Sequence, residues 1–364
     1  MQSPDQKHRV IFIDLMRAIA VLQMVQGHTI FVFLSQEFKS TELPAYAVWN
    51  FLRGMTAPIF MFTAGTVFIY LFRLVKKSFW ENYRVKKGIK RAFLLLFLGY
   101  IMKYPTWTVF DFSEVTEEKW QLFLAIDVLQ LIGFSLLILL TILYITEKLK
   151  LNYTAMFTIS SGIFFLLSPF TDVVNWNLIL PEPIAAYLYS GSGSLFPLFP
   201  WAGYVISGGL LGSYLSENPL VFKSSRFSIL LAVFGGAFTL TALLSELFLQ
   251  MLQIQVYNPQ TTPSTIFLRV GFVLLLTSAV SYIALKLNSI PQLLILVGRN
   301  TLLIYFIHLI ILYGSTWTPG LNLLWGDSFT GWQSFGAAVI MLTLMAFMVV
   351  GIHRFKIHNK EMVT

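Results

Sequence analysis

The chain has 364 residues, of which 56% are hydrophobic and 12% charged, with a net charge of +8 and no cysteine. A soluble domain carries about 25% charged residues, so this balance excludes an ordinary soluble protein and describes a polytopic membrane protein. The absence of cysteine excludes disulfides, a thiolate nucleophile and a thiolate metal site. The positive charge is gathered in a few loops, which is a topology signal and not a nucleic-acid footprint.

In chain order, apolar runs predict membrane spans near 10–34, 48–72, 91–110, 121–146, 152–170, 198–215, 227–250, 264–285, 292–313 and 333–352. The segment before the first span, MQSPDQKHRV, has no short apolar region with a small-residue cleavage site, so that span is read as retained. Ten spans put both termini on one side. Connections on that side hold 18 Lys and Arg: Lys7, Arg9, eight in 73–91, Lys148, Lys150, Lys223, Arg226, Lys286, Arg354, Lys356 and Lys360. The other side holds two, Lys39 and Lys119. The positive-inside rule therefore places both termini in the cytoplasm. The opposite loops are acidic and aromatic, and the longest, 171–197, is expected to form a short interfacial helix or lid. The expectation is an all-α bundle of about ten spans forming one domain over residues 1–364.

Five cations remain at membrane depth, Arg17, Arg53, Lys103, Arg269 and Arg299, with Asp14, Asp127, Glu246, His28 and His308. Each such charge costs at least ~2.5–3.5 kcal/mol on insertion scales, which makes it a functional candidate. Lys103 and Arg53 lie near span ends and can also snorkel to the interface.

The first span, DLMRAIAVLQMVQGHTIFVFL, is the richest. At 100° per residue, Asp14, Arg17, Val21, Met24 and His28 share one stripe, and roughly 16 Å of helix axis separates Arg17 from His28. Asp14 and Arg17 are spaced to pair. One face thus offers a cation toward the inside and an imidazole toward the outside. Helix glue is the competing reading: a neutralised Asp14–Arg17 pair and a histidine bonded to a neighbouring helix.

WNFLRGMTAPIFMFTAG (49–65) carries Arg53 and the small pair Ala64–Gly65, which suits close helix packing or ligand approach equally. AIDVLQLIG (125–133) sets Asp127 and Gln130 one turn apart. SLFPLFPWAGYVISGGLLG (194–212) opens a span with Pro197, Pro200 and the interfacial Trp201. LVGRNTLLIYFIHLIILYG (296–314) has Arg299 and Asn300 in its inner part and His308 farther out; boundary marking and packing are the competing roles for Arg299 and His308. No HExxH, P-loop, GxGxxG after a strand, or GxSxG elbow occurs.

RVIFIDLMRAIAVLQMVQGH, with Arg17 and His28 eleven positions apart, resembles the first span of family-3 membrane acyltransferases. TAPIFMFTAG, DVLQLIG, FPLFPWAGYVISGGLLG and GRNTLLIYFIH are closer to the heparan-α-glucosaminide N-acetyltransferase catalytic-domain group. The resemblance to this transmembrane acyltransferase superfamily covers about residues 9–313, and the order and spacing of the motifs carry it.

The resemblance implies a helical bundle around a central pore and transfer of an acetyl group from cytoplasmic acetyl-CoA. The acceptor is a hydroxyl or amine of an extracytoplasmic sugar, glycan or glycolipid. Members of the lysosomal group are assigned a histidine in the first luminal loop. Loop 35–48 has none here, so the resemblance moves the base to His28.

The catalytic set is then His28, Asp127 to orient the imidazole, and Arg53. The acetyl-CoA set is Arg17, Asp14, Gln130, Arg299, Asn300, Lys87, Lys90, Arg91 and His308. Among these, Arg17, Arg299, Lys87, Lys90 and Arg91 suit phosphates, and Gln130, Asn300 or Arg53 suits an oxyanion. No metal is implied. Direct transfer and an acetyl-His28 intermediate both fit. The expected partners are acetyl-CoA, a sugar or glycan acceptor and the lipid bilayer of a bacterial cytoplasmic (inner) membrane, with a homodimer admitted and no nucleic acid. The alternative is a transporter or flippase of small polar molecules that uses the buried charges as a pathway.

Overall fold

A computed structural model of the chain describes residues 11–254, 258–287 and 289–361. Lys7 and Arg9, counted above as cytoplasmic charges, lie outside the described residues. Fourteen α-helices run in order through the described residues: α1 Ile11–Phe33, α2 Pro44–Arg73, α3 Tyr83–Met102, α4 Glu117–Leu124, α5 Val128–Lys148, α6 Tyr153–Val173 and α7 Glu182–Ala185, then α8 Leu198–Glu217, α9 Ser225–Met251, α10 Pro263–Lys286, α11 Gln292–Arg299, α12 Thr301–Tyr313, α13 Asn322–Trp325 and α14 Gly331–Glu361. A two-residue hairpin, Gly314–Ser315 with Thr318–Pro319, follows α12.

Seven of these helices are long and apolar enough to cross a membrane, and α11 with α12, bent by 75° at their junction, makes an eighth if the pair is one span. The protein is an integral, multi-pass membrane protein. Two of the ten predicted spans correspond to α3 and α8, which fall outside those seven. Arg84, Lys86, Lys87, Lys90 and Arg91 lie within the first three turns of α3, and Gly203, Ser207, Gly208, Gly209, Gly212 and Ser213 dilute the apolar character of α8.

The structure corrects three predicted boundaries. The third span is expected at 91–110, but α3 occupies Tyr83–Met102. Asn82 accepts a hydrogen bond from the Arg84 amide and starts the helix before the charged run, so those cations are helical and not loop residues. The fourth span is broken at 125–127, where Asp127 caps a new helix. The long 171–197 segment begins inside α6 and holds two 3₁₀ turns with α7 between them, the short helix expected there.

The helices gather into two compact units. One runs from Met61 to Leu285 and contains the end of α2 and α3 to α10. Its centre is built by backbone contact. A Cβ on Gly65 would overlap the Val205 carbonyl, and one on Gly208 would overlap the Phe62 carbonyl. Only glycine at these places lets α2 and α8 approach so closely. Gly65 of the Ala64–Gly65 pair therefore has a packing role. On α3 and α5, Gly99 faces the side chain of Gln130, and Gly133 faces the Ala92 carbonyl.

The other unit holds α1, the start of α2 to Phe60, and α11 to α14. A Cβ on Gly298 would overlap the Asp14 carbonyl, so α11 lies directly on the first turns of α1. Trp49 donates its indole N–H to Gln26 at 3.0 Å and fastens the start of α2 to the middle of α1. The C-terminal carbonyls of α1 are capped from far along the chain: the Asp327 amide reaches the Val32 oxygen at 3.0 Å and the Phe329 amide the Phe33 oxygen at 2.8 Å. Lys39 and Asp327 form an ion pair at 2.5 Å over this junction.

Candidate active site

The polar stripe of α1 keeps its order in the structure. Arg17, half-buried, donates from Nη2 to the Thr301 hydroxyl at 3.0 Å. Thr301 opens α12 just after the bend, where Asn300 turns its side-chain N–H onto the Leu296 carbonyl at 2.8 Å. Arg17 thus meets the break in the predicted ninth span, a place with backbone groups not consumed by regular helix. Arg299, at the end of α11, is exposed.

Three turns on, His28 is half-buried and its ring meets two others edge-on: His308 at 5.5 Å and Tyr313 at 5.9 Å between centroids. His308 is fully buried, and its Nδ1 donates to the Ile304 carbonyl at 2.7 Å. That hydrogen bond fixes the proton on Nδ1 and leaves Nε2 as an acceptor, for which no hydrogen-bond partner occurs among the described residues. Tyr305 packs edge-on to the same ring at 5.9 Å. Of the two imidazoles, His28 is half-buried, and His308 is fully buried and anchored to the Ile304 carbonyl.

Arg53 arrives from α2. Its guanidinium lies over the Phe31 ring at 4.1 Å, within 5.6 Å of the Trp49 ring, and bonds Asn50 at 3.3 and 3.4 Å. Its methylenes pass over Gly27, where a Cβ would come within 3.1 Å of Cγ. The glycine immediately before His28 therefore makes room for this cation. Tyr313 is within electrostatic reach of Arg53 as well. His28, His308, Arg53 and Tyr313 form one cluster. Tyr313 was not singled out from the sequence, because an aromatic residue at a helix end reads first as an interfacial anchor.

The site residues expected on α3 and α5 have other surroundings. Asp127 is the N-cap of α5: its carboxylate accepts from the Val128 amide at 2.8 Å and lies 3.3 Å from Lys103 Nζ. Gln130 is fully buried against Gly99, and neither end of its amide has a hydrogen-bond partner among the described residues. Lys87, Lys90 and Arg91 are exposed on the first turns of α3, with Lys87 over the Tyr83 ring at 4.8 Å.

The model of the family described as heparan-alpha-glucosaminide N-acetyltransferase, catalytic, matches residues 9–252. The chain belongs to this family. A comparison with curated proteins returns no match. Membership in the heparan-alpha-glucosaminide N-acetyltransferase family makes the protein one of a group of membrane acetyltransferases, as its motifs led us to expect. The matched stretch contains α1 to α9, and with them Arg17, His28, Arg53 and Asp127. His308 and Tyr313, which meet His28, lie beyond it.

Proposed function

We propose that the protein moves an acetyl group from cytoplasmic acetyl-CoA to a hydroxyl or amine on an extracytoplasmic sugar, glycan or glycolipid, with His28 as general base. The observation that carries this reading is the half-buried His28 imidazole held against His308 and Tyr313, on the helix that also bears Arg17, in a chain of the acetyltransferase family. A hydroxyl is a poor nucleophile until a base removes its proton, and an imidazole is suited to that work near neutral pH. In the proposed step His28 takes the proton, the acceptor oxygen or nitrogen attacks the thioester carbonyl, and a tetrahedral oxyanion forms. The carbon–sulfur bond then breaks, and the imidazolium returns the proton to the departing CoA thiolate.

Arg53 is the candidate oxyanion donor, since it is half-buried and held beside α1 at the residue preceding His28. On the Met61–Leu285 unit, Lys87, Lys90 and Arg91 are exposed cations of a kind that suits phosphate; on the unit that carries the base, exposed Arg299 suits a CoA phosphate and Arg17 is a deeper cation on the same stripe as His28. Asp14 and Asn300 flank that cation, Asp14 one turn before it on α1 and Asn300 one residue before its Thr301 partner. His308 acts on His28 as a positioning residue. Asp127 belongs to the cap of α5 in this reading, and Gln130 to its packing. The 18 to 2 distribution of Lys and Arg supports cytoplasmic termini.

The test is release of free CoA from acetyl-CoA by the purified protein over a panel of sugars, wild type beside His28→Ala. Acceptor-dependent release that falls about 10²–10⁴-fold in the variant supports the reading. A folded wild-type protein that binds no acetyl-CoA sinks it and returns the buried charges to a transport role.

A further inference from the structure

Residues 74–91 hold seven cations and one acid, Glu81. Lys76, Lys77, Lys86, Lys87, Lys90 and Arg91 are exposed, and none is in an ion pair among the described residues. The segment is nonetheless fastened to its unit. The Phe79 amide donates to the Glu147 carboxylate at 2.8 Å, and the Asn82 side-chain N–H donates to the Phe72 carbonyl at 3.1 Å. Asn82 also caps α3, so Lys86, Lys87 and Lys90 stand on a helix and not in a loop.

α3 has two faces. Val85, Gly88, Ala92, Leu95 and Gly99, spaced three and four residues apart, are buried. Ala92 and Leu95 lie on Gly133 of α5, and Gly99 lies on Gln130. On the far side of the helix, Lys86, Lys90, Phe93 and Phe97 form an exposed stripe at the same spacing. Phe93 is 60% exposed and Phe97 63%. The stripe therefore changes from cationic to aromatic within one turn. In an integral membrane protein, exposed phenyl rings of this kind are solvated by acyl chains, and cations directly above them stand among the headgroups. Lys86 and Lys90 are about 6 Å apart along the axis, which matches the roughly 5–8 Å of headgroup layer on each side of the hydrocarbon core. Trp80, 77% exposed, and Tyr83 lie at the same end of the helix, with the Lys87 ammonium over the Tyr83 ring at 4.8 Å. A topology signal needs cations in a connection; it requires neither a helical stripe nor aromatic rings beneath it.

We propose that Lys86, Lys87 and Lys90, with Phe93 and Phe97, form a docking surface for an anionic phospholipid. The lipid phosphate lies among the ammonium groups, and an acyl chain lies along the two rings. Charge complementarity selects the occupant: cations without an ion pair attract phosphate, and the exposed rings below them fit a chain that free phosphate and nucleotides lack. The surface belongs to the Met61–Leu285 unit alone and does not depend on the acyl-transfer reading.

The full-length protein, purified in a neutral detergent, is titrated with phosphatidylglycerol and with phosphatidylcholine of the same acyl chains at matched ionic strength. Retained lipid is counted by native mass spectrometry. Wild type is expected to prefer phosphatidylglycerol. Lys86→Gln/Lys90→Gln lowers that preference about tenfold or more, at about fivefold per cation. Arg354→Gln/Lys356→Gln, which removes two exposed cations from α14, leaves it unchanged. Phe93→Ala/Phe97→Ala weakens both lipids alike and keeps the preference. Lys90→Gln alone, with about a fivefold loss, carries the test if the double variant does not fold. Equal retention of the two lipids by wild type overturns the surface, as does an equal loss from the α3 and α14 charge variants. Inorganic phosphate or CoA that displaces phosphatidylglycerol at equal concentration makes this a site for free phosphate groups and also overturns it.

Discussion

The start of α5 and the second half of α1 both carry ionisable groups inside apolar runs, yet the two regions use them differently. At α5, Asp127 bonds the very next amide and pairs with Lys103, so its charge is consumed where the helix begins. In α1, His28 sits inside a continuous helix whose backbone needs no cap there. Its ring meets His308 and Tyr313, 280 and 285 residues away in sequence. A buried charge in a membrane helix signals chemistry only after local duties, capping above all, have been subtracted.

That contrast can be broken by mutation. His28→Ala has the largest expected effect: acetyl transfer falls about 10²–10⁴-fold while the thermal midpoint and acetyl-CoA binding stay near wild type. A matching loss of folding would make His28 a packing residue after all. His308→Leu keeps the buried volume but removes the edge contact to His28. Transfer is expected to fall about 10–100-fold, as misplacement of a reacting group does, with a changed pH profile and unchanged acetyl-CoA affinity. An unaltered rate and profile would show that His308 only fills space.

Asp127 sharpens the comparison from the other side. Asp127→Ala is expected to cost about 1–2 kcal/mol of stability through loss of the cap, read from unfolding curves, with transfer changed less than about threefold. Asp127→Asn preserves an equally good cap and should recover most of that stability. A catalytic role for Asp127 would instead appear as a large rate loss in both variants with stability intact.

The smallest effect belongs to the Lys39–Asp327 pair over the end of α1. Hydrogen bonds from Lys39 and Gln36 hold the Asp327 carboxyl below its usual range. A depressed value means that its stabilisation is present above the unfolded carboxyl value of ~4 and is lost as pH falls through the lower folded value. The group is half-exposed and screened by solvent, so Asp327→Asn should cost under about 1 kcal/mol at neutral pH. Wild type and variant should converge in thermal midpoint at strongly acidic pH. A gap that widens on acidification would contradict the ion pair.

Much of this was legible in the residues. Low charge and long apolar runs determined a multi-pass membrane protein, because the bilayer core admits little else. The Arg17 and His28 spacing on α1 placed two candidates on one stripe, and the motif order pointed to the acetyltransferase family that the match over residues 9–252 shows. Hydropathy could not locate the start of α3, since cations in a first turn look like loop until Asn82 is seen capping it. Nor could it foresee the 75° bend at Asn300. The glycines at 65 and 208 read as packing or ligand space alike until the facing carbonyls appeared. Periodicity along one helix tells which side chains share a face, but not which distant side chain meets them. The pairing of His28 with His308 and Tyr313 and the passage of Arg53 over Gly27 were decided only when segments far apart in sequence packed together.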